Sequence, residues 1–289
     1  MLSYRHAFHA GNHADVLKHI VLVELLTHLN QKDKPYSYID THAGAGLYAL
    51  DHGFAAQNEE SSTGIAKLWG RQDAPEPVAR YLDLIKSFQQ TAPQSKVLRY
   101  YPGSPLLAQR MARATDLLRL FEMHTTDFAL LKKTMNANPS TVKTLCDHGD
   151  GFQGLKATLP PVSRRGLILI DPSYEIKNDY KEVIVALRDA LARFATGIYM
   201  LWYPCLKRAE VTRMIQQFHK LPFARTLHVA LTVKRPAIEG YGMFGSGVLI
   251  GNPPWTLNKR LSEVMPYLVR RLGQDDGAAF VLEEPFGKK

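Results

Sequence analysis

An acid, a proline, a serine and an aromatic residue, Asp171-Pro172-Ser173-Tyr174, directly follow an apolar run at 166–170. The run has no alternation of polar and apolar positions, which is typical of a strand buried on both faces of a parallel sheet. In open α/β sheets, ligands bind at the carboxyl ends of the strands. The sequence therefore predicts a reacting centre at this turn.

The groups of this turn suit chemistry at the exocyclic amino group of a nucleobase, whose lone pair is delocalised into the ring. Acceptors aimed at both amino hydrogens favour a pyramidal nitrogen and free its lone pair for attack. The Asp171 carboxylate and the Pro172 carbonyl oxygen are such acceptors, and Asp171 can help the proton to leave. A base must leave its stack to reach them, and the Tyr174 ring can then stack against it. The alternative is a tight turn in which proline and tyrosine only pack.

A second predicted strand end carries a pair of glycines. The strand at 36–40 ends in an acid and continues as Thr41-His42-Ala43-Gly44-Ala45-Gly46. Glycines spaced by one residue let the backbone approach a ligand closely at a helix entrance. Residues 44–49 also fit the dinucleotide fingerprint with a terminal alanine, but the acid that this fingerprint places about 20 residues later is missing. A nicotinamide-dependent oxidoreductase is therefore a minor alternative.

Two further acids follow predicted strands. Glu122 ends the strand at 116–122, where it can accept hydrogen bonds from two vicinal ribose hydroxyls. Asp150, followed by Gly151, comes after the strand at 142–146 and can accept a hydrogen bond from an adenine amino group. Each acid also has a purely structural interpretation, as a helix-start acid for Glu122 and as an Asp-Gly turn for Asp150.

The N-terminal segment has a different character. Residues 1–11 are interpreted as an irregular arm with basic and aromatic side chains, which contacts RNA or covers an active site. Apolar residues then recur at helical spacing and predict a helix at 12–30. Lys18 and His19 lie in the first half of that helix.

Composition limits the class of protein. The 289 residues contain 36 Lys and Arg against 27 Asp and Glu, and the net charge of +9 favours polyanionic partners such as nucleic acid. Two cysteines, Cys146 and Cys205, make no disulfide framework and suit a reducing cytoplasm. No stretch has the pattern of an export signal or the apolar length of a membrane span. His6, His9 and His13 lack thiolate or paired carboxylate partners, so no metal site is predicted.

Strands and helices alternate along the chain, and two strands follow one another near its end. This order predicts an α/β fold with a doubly wound, mostly parallel sheet and an antiparallel last strand. The polar segment 50–95 is interpreted as a small helical insert, and residues 1–289 as one domain because no long linker divides them. Ser104, directly before Pro105, resembles the N-cap of the helix that follows.

The segment Gly251-Asn252-Pro253-Pro254-Trp255 competes with the first turn, because it also places a hydrogen-bond acceptor before a proline and an aromatic residue. The order of elements decides between them. The reacting turn should close the fourth strand, after the glycine turn and two intervening strands, and Asn252 comes two strands later. We therefore expect Asp171 to act and Asn252 not to.

Asp-Pro-Ser-Tyr differs at one position from Asp-Pro-Pro-Tyr, the motif of S-adenosylmethionine-dependent enzymes that methylate exocyclic amino groups. With this turn, the chain resembles the bacterial 23S ribosomal RNA adenine-N6 methyltransferase J family (RlmJ). The resemblance covers nearly the whole chain and is weakest at 50–95 and near the C-terminus. The segments that carry it are 1–6, 8–19, 40–46, 99–105, 150–153, 159–172, 193–199 and 252–255.

The resemblance implies a Rossmann-like class I methyltransferase sheet and transfer of a methyl group from S-adenosylmethionine to one adenine of 23S ribosomal RNA. It assigns catalysis to the turn, and the catalytic residues are Asp171, Pro172 and Tyr174. Together with Gly44 and Gly46 of the glycine turn, the predicted cofactor contacts are His19, His42, Ser104, Glu122, Asp150 and Gly151. It points to Tyr4 as an RNA contact, and the predicted RNA-contacting set is Tyr4, Arg5, His6 and Lys18. Ser173 stands where the family has a second proline, so the turn is less rigid and activity is expected to be reduced or normal.

Other readings stay open. An enzyme of this chemistry could act on DNA adenine, on another RNA or on a protein glutamine amide, although sequence-reading DNA enzymes usually need an additional module and the insert is small for one. A non-catalytic RNA-binding relative would keep the sheet without turnover. We expect a cytoplasmic monomer without membrane contact.

Overall fold

The computed structural model of the chain describes residues 8–50, 60–89, 97–238, 240 and 242–285. The strands are β1 (Ser37–Asp40), β2 (Leu47–Ala49), β3 (Tyr100–Pro102), β4 (Leu117–Glu122), β5 (Lys143–His148), β6 (Gly166–Ile170), β7 (Ile198–Cys205), β8 (Thr226–Thr232), β9 (Gly245–Gly251) and β10 (Ala279–Glu283). The helices are α1 (His13–Asn30), α2 (Glu60–Thr63), α3 (Glu76–Lys86), α4 (Ser104–Met111), α5 (Thr125–Ala137), α6 (Gly151–Thr158), α7 (Asp179–Arg193), α8 (Ala209–His219) and α9 (Leu257–Leu272), with a 3-10 turn at Ile65–Lys67.

Eight strands form one sheet in the order β10-β8-β9-β7-β6-β1-β4-β5. The five strands from β7 to β5 in this order run parallel to one another. Strand β9 lies between β7 and β8 and is antiparallel to both, and β10 is antiparallel to β8 at the edge. Helices and apolar clusters cover both faces. The predicted fold, a doubly wound and mostly parallel sheet with an antiparallel last strand, is confirmed, and β9 adds a second reversed strand.

Strand β6 lies in the middle of the sheet and explains why its sequence is uniformly apolar. All five of its residues are buried, because β1 and β7 flank it and helices pack on both faces. In the parallel register, Asp40 of β1 pairs with Leu169 of β6 and with Leu120 of β4. The carboxyl ends of β1, β4 and β6 therefore meet at one edge of the sheet.

Helix α1 is the central element of one face. It begins at the N-cap Asn12, whose side chain accepts hydrogen bonds from the backbone N–H groups of Ala14 and Asp15. Its spacing of Leu and Val predicts one apolar face, but α1 is buried on nearly all sides because it lies between the sheet and helices α3, α4 and α9. In the described part of the chain, no helix combines the length and apolar composition that a membrane span requires.

Several details differ from the sequence predictions. Helix α4 begins at Ser104 itself and has Gly103 as its N-cap, so the interpretation of Ser104 as the N-cap is wrong. The short antiparallel pair β2–β3 was not expected. Helices α2 and α3 lie within the predicted insert, whose status as a separate unit stays a prediction. Residues 1–7 of the predicted arm lie outside the described residues.

Candidate active site

A cavity of about 410 Å³ opens where β1, β4, β6 and β7 end. It has two sides that different strands supply. The side that we call the β1–β5 half is lined by Thr41, His42, Ala43, Gly44, Glu122, Met123, His124, Asp150 and Gly151. The side that we call the β6–β7 half is lined by Asp171, Pro172, Ser173, Tyr174, Glu175, Trp202, Pro204, Leu206, Arg208 and Met243. Helix α1 contributes Asp15, Lys18 and His19 between them.

Asp171 is held by a buried cation. Nζ of Lys18 donates to Oδ2 of Asp171 at 2.6 Å and lies 2.9 Å from Oδ1 of Asp15. The Asp171 side chain keeps 14% exposure, so it still faces the cavity. Burial alone would lower the pKa of Lys18, but the charges and hydrogen bonds of Asp15 and Asp171 outweigh burial and raise the pKa well above its ordinary value. Lys18 is therefore charged and fixed.

This position changes the interpretation of Lys18. The sequence predicts an RNA-contacting lysine, whereas the structure places its side chain at the base of the cavity, 5% exposed and paired with two carboxylates. Nζ of Lys18 also lies 5.9 Å from the ring centroid of Trp202. A lysine so enclosed holds the Asp171 carboxylate in place, and its predicted contact with RNA stays a prediction. The spacing of three between Asp15 and Lys18 on a helix was the signal that could have predicted the ion pair with Asp15.

Tyr174 also differs from its prediction. The residue has a positive φ of 54°, and its side chain turns into the protein, where only 3% is exposed. Its hydroxyl donates to the backbone oxygen of Trp202 at 2.8 Å, and its ring packs 4.6 Å from Tyr180 between ring centroids. The predicted stacking surface for a base is therefore not presented in this conformation. Tyr174 stabilises the turn by packing into the protein interior.

The glycine turn and β4 form a second anchored group. The two carboxylate oxygens of Glu122 accept hydrogen bonds from the backbone N–H groups of Gly44 at 2.8 Å and His124 at 2.7 Å. Each oxygen keeps a further lone pair, and Glu122 lines the cavity. Burial raises the pKa of Glu122, although those two hydrogen bonds oppose the shift. This is the acceptor pair that vicinal hydroxyls require. Gly46 is not part of it: it lies against Leu131 and Thr134 of α5 and shapes the turn.

His42 and the Asp150-Gly151 pair complete the β1–β5 half. Burial lowers the pKa of His42 to about 4, so its ring is neutral at pH 7. The Asp150 side chain caps α6 by accepting from the N–H of Phe152, and Asp150 remains exposed beside the cavity. Gly151 is required by close packing, because an added Cβ would lie 2.1 Å from the backbone oxygen of Thr41. All three predicted residues therefore border one space.

Asp40 organises the region beneath the cavity. It is fully buried and accepts hydrogen bonds from the hydroxyls of Tyr38 and Ser104, both at 2.7 Å, and from the N–H of His42 at 3.2 Å. Burial, opposed by these hydrogen bonds, raises its pKa to about 6. Ser104 lines the cavity, so Asp40 orients it from below. The sequence showed Asp40 as a strand-end acid but not this role.

His19 lies at the far end of a second buried network. Its Nδ1 lies 2.8 Å from the hydroxyl of Tyr101, which lies 2.8 Å from the hydroxyl of Tyr81. The rings of His19 and Tyr101 are stacked with 5.5 Å between centroids. These contacts hold the imidazole at the edge of the cavity, where it was predicted to contact a cofactor.

The competing turn at Asn252 has a structural function. Its Nδ2 donates to the backbone oxygens of Ala195 and Gly197, both at 2.8 Å, and its Oδ1 accepts from the N–H of Ala224 at 3.1 Å. Because β9 is antiparallel to β7, Asn252 lies at the opposite edge of the sheet from Asp171. Asn252 therefore cannot take part in a reaction at Asp171. Among the described residues, no group of three or more acids, histidines and cysteines could hold a metal ion.

Comparison with known proteins gives consistent results. Residues 33–282 match the family described as "Ribosomal RNA large subunit methyltransferase D, RlmJ". The chain is 46% identical over 272 residues to ribosomal RNA large subunit methyltransferase J of Escherichia coli (strain K12), covering 94% of each chain. It is 43% identical over 283 residues to the protein of the same name from Haemophilus influenzae (strain ATCC 51907 / DSM 11121 / KW20 / Rd), covering 98% of each. The crystal structure of protein LPL1258 from Legionella pneumophila is 35% identical, with a TM-score of 0.87 over 96% of this chain and 98% of that one.

Proposed function

The chain belongs to the RlmJ family of ribosomal RNA large-subunit methyltransferases, and we propose that it methylates the N6 amino group of an adenine in 23S ribosomal RNA with S-adenosylmethionine as the donor. The observation that carries this proposal is the placement of Glu122 and Asp171 in one cavity. Glu122 suits a ribose, and Asp171 suits an amino group. A reaction between a nucleoside-like donor and a base requires both in reach of one another.

The β1–β5 half has the side chains and backbone groups that S-adenosylmethionine binding requires. Glu122 would accept from the ribose hydroxyls, and Asp150 from the adenine amino group. His19, His42, Gly44, Ser104 and Gly151 would line the remaining surface. When bound there, S-adenosylmethionine supplies an electrophilic methyl group on a sulfonium sulfur. Gly46 has no direct contact in this proposal and keeps the turn in its shape.

The β6–β7 half would receive the target adenine. The Asp171 carboxylate and the Pro172 carbonyl oxygen would accept the two hydrogens of the amino group and favour the pyramidal nitrogen. Asp171 would also help the proton of the methylated amine to leave. Lys18 acts through Asp171, because its ammonium group fixes Oδ2 and leaves the other oxygen for the substrate.

RNA as the substrate is supported by the net charge of +9 and by the names of the two relatives. Tyr4, Arg5 and His6, which lie outside the described residues, are proposed as further RNA contacts. We also propose that the enzyme works as a monomer in the cytoplasm. A methyltransferase of DNA and a non-catalytic RNA-binding protein are the alternatives that the experiment must separate.

The test is transfer of a tritiated methyl group to ribosomal RNA from cells that lack the enzyme. We expect label in the large-subunit RNA as N6-methyladenosine, with the wild type and with Asn252→Ala if that variant folds. Asp171→Ala should give no label while it still binds the donor. Label on duplex DNA in preference to RNA would contradict the proposed substrate, and donor binding without transfer to any RNA would indicate the non-catalytic protein.

A further inference from the structure

We propose that Arg208 binds a phosphate group of the nucleotide whose base enters the β6–β7 half, so that the enzyme recognises a nucleotide and not only a base. This inference rests on the proposed function, because it assumes that the β6–β7 half holds the substrate. It assigns a binding role to a residue that the sequence did not single out.

The β6–β7 half is charged at its base, apolar along its wall and positively charged at its mouth. Asp171 and Lys18 form the charged base. The wall at the end of β7 is apolar and contains Pro204 and Leu206, together with Met243 from the connection between β8 and β9. Arg208 comes next in the chain, lines the same cavity and is exposed. A planar base fits an apolar wall, and the backbone attached to that base must leave through the mouth, where Arg208 lies.

Arg208 is suited to a phosphate. Its guanidinium group presents a rigid fork of N–H donors that matches two phosphate oxygens. None of the ion pairs between described residues involves Arg208, whereas Lys18 of α1, the lysine at the base of the cavity, is already paired with two carboxylates. Glu175 also lines this half and would repel a phosphate, so the phosphate must approach the guanidinium group from the side away from this carboxylate.

The position of Arg208 is also linked to the reacting turn. Burial raises the pKa of the Tyr180 hydroxyl, and the charge of Arg208 and a side-chain hydrogen bond with it oppose that shift, in line with a guanidinium group near Tyr180. The Tyr180 ring packs against Tyr174, which follows the reacting residues. A phosphate on Arg208 would therefore anchor the nucleotide on the same side of the cavity as the reacting turn.

The test compares the affinities of adenosine, adenosine 5′-monophosphate and adenosine 3′-monophosphate for the enzyme saturated with S-adenosylhomocysteine, by isothermal titration calorimetry. We expect the wild type to bind at least one monophosphate about 10- to 100-fold more tightly than adenosine, since that is the range for charge-assisted hydrogen bonds. Which monophosphate is favoured tells whether Arg208 contacts the 5′ or the 3′ side. Arg208→Ala should abolish the preference, and Arg208→Lys should keep part of it.

Lys207→Ala is the matched control, because Lys207 is the adjacent exposed cation, donates to the backbone oxygen of Ala237 and does not line the cavity. It should keep the full preference. A wild type without the preference, an Arg208→Ala protein that retains it, or no measurable nucleotide binding would each overturn the inference.

Methyl transfer to ribosomal RNA separates this inference from the proposed function. Arg208→Ala should raise KM for RNA and leave kcat within about twofold, because a contact made equally before and during the reaction affects binding alone. A phosphate preference that depends on Arg208, in an enzyme that methylates no ribosomal RNA, would leave the phosphate site standing and refute the proposed function. Unchanged methylation of ribosomal RNA by Arg208→Ala would refute the phosphate site and leave the proposed function standing.

Discussion

The ammonium group of Lys18 lies 2.6 Å from Asp171, a residue 153 positions later in the chain, and the two side chains are nearly enclosed. The pair joins the first turns of α1 to the turn after β6. Asp15 makes the arrangement a triad of one cation and two carboxylates. Its net charge is negative, so a negative charge persists beside the position proposed for the target amino group.

Removing the cation should destabilise the fold. Lys18→Met leaves Asp15 and Asp171 buried without their shared counter-charge, and we expect a loss of about 3–5 kcal/mol in the free energy of unfolding. Urea unfolding at pH 7 measures it, with the exposed Lys32→Met as the control, expected within about 0.5 kcal/mol of the wild type. A loss below about 1 kcal/mol for Lys18→Met would mean that the pair is weak.

Asp171→Asn should separate chemistry from binding. The amide keeps one acceptor oxygen but loses the charge that stabilises the developing positive nitrogen and takes the proton. We expect single-turnover methyl transfer to fall by about 10²–10⁴-fold. The dissociation constant of S-adenosylmethionine, measured by calorimetry, should change less than threefold. Transfer at the wild-type rate would show that another group accepts the proton.

Glu122→Gln tests the β1–β5 half. One oxygen becomes an N–H₂ group that faces a backbone N–H donor or a ribose hydroxyl, so one hydrogen bond is lost and one acceptor is missing. Affinity for S-adenosylmethionine should fall about 10- to 100-fold, and the transfer rate at saturating donor should be nearly unchanged. Lower turnover with unaltered donor affinity would move Glu122 out of the donor site.

Tyr174→Phe tests whether Tyr174 supports the turn or acts on the substrate. The variant keeps the ring and loses the hydrogen bonds of the hydroxyl to the backbone oxygen of Trp202 and, more weakly, to Sδ of Met214, so unfolding free energy should drop by about 1 kcal/mol. Removal of the ring in Tyr174→Ala should cost about 3–5 kcal/mol through lost packing. Thermal unfolding ranks the two. A large loss of turnover in Tyr174→Phe without loss of stability would restore a direct catalytic role.

Acid should weaken the fold through buried neutral histidines. Burial lowers the pKa values of His13 and His42 from 6.5 to about 4. Between these values the unfolded chain binds more protons than the folded chain, so stability falls as the pH decreases through this window. Asp40, with a pKa raised to about 6, acts in the opposite direction.

His13→Gln removes one of these groups. The difference in unfolding free energy between pH 7 and pH 5, measured with urea, should become smaller in this variant than in the wild type. An unchanged difference would show that His13 titrates alike in the folded and unfolded chain.

The parts of the site that follow from local pattern were predictable. An uninterrupted apolar run followed by Asp171, and acids or glycines after three other strands, located the residues that the parallel register brings to one edge. The relation of Lys18 to Asp171 was not predictable, because it depends on how α1 docks on the sheet. The direction of the Tyr174 side chain depends on a positive φ, which a tyrosine in the sequence does not indicate.

In the fold, too, local pattern predicted some elements, and tertiary packing determined others. Strand and helix alternation gave the sheet, and apolar spacing gave α1, but spacing cannot tell a helix buried on one side from one buried on all sides. The pair β2–β3 is three residues long on each strand. Such short strands are held by their neighbours and carry little pattern of their own.

The reversed strand β9 has a consequence for how this protein can change. Because β8 and β9 run in opposite directions, the connection 233–244 returns to the edge that carries Asp171, and Met243 borders the β6–β7 half. The connections that border Glu122 and Gly44 belong to other strands. A change at Met243 would therefore reshape the wall of the β6–β7 half and leave the residues of the β1–β5 half in place.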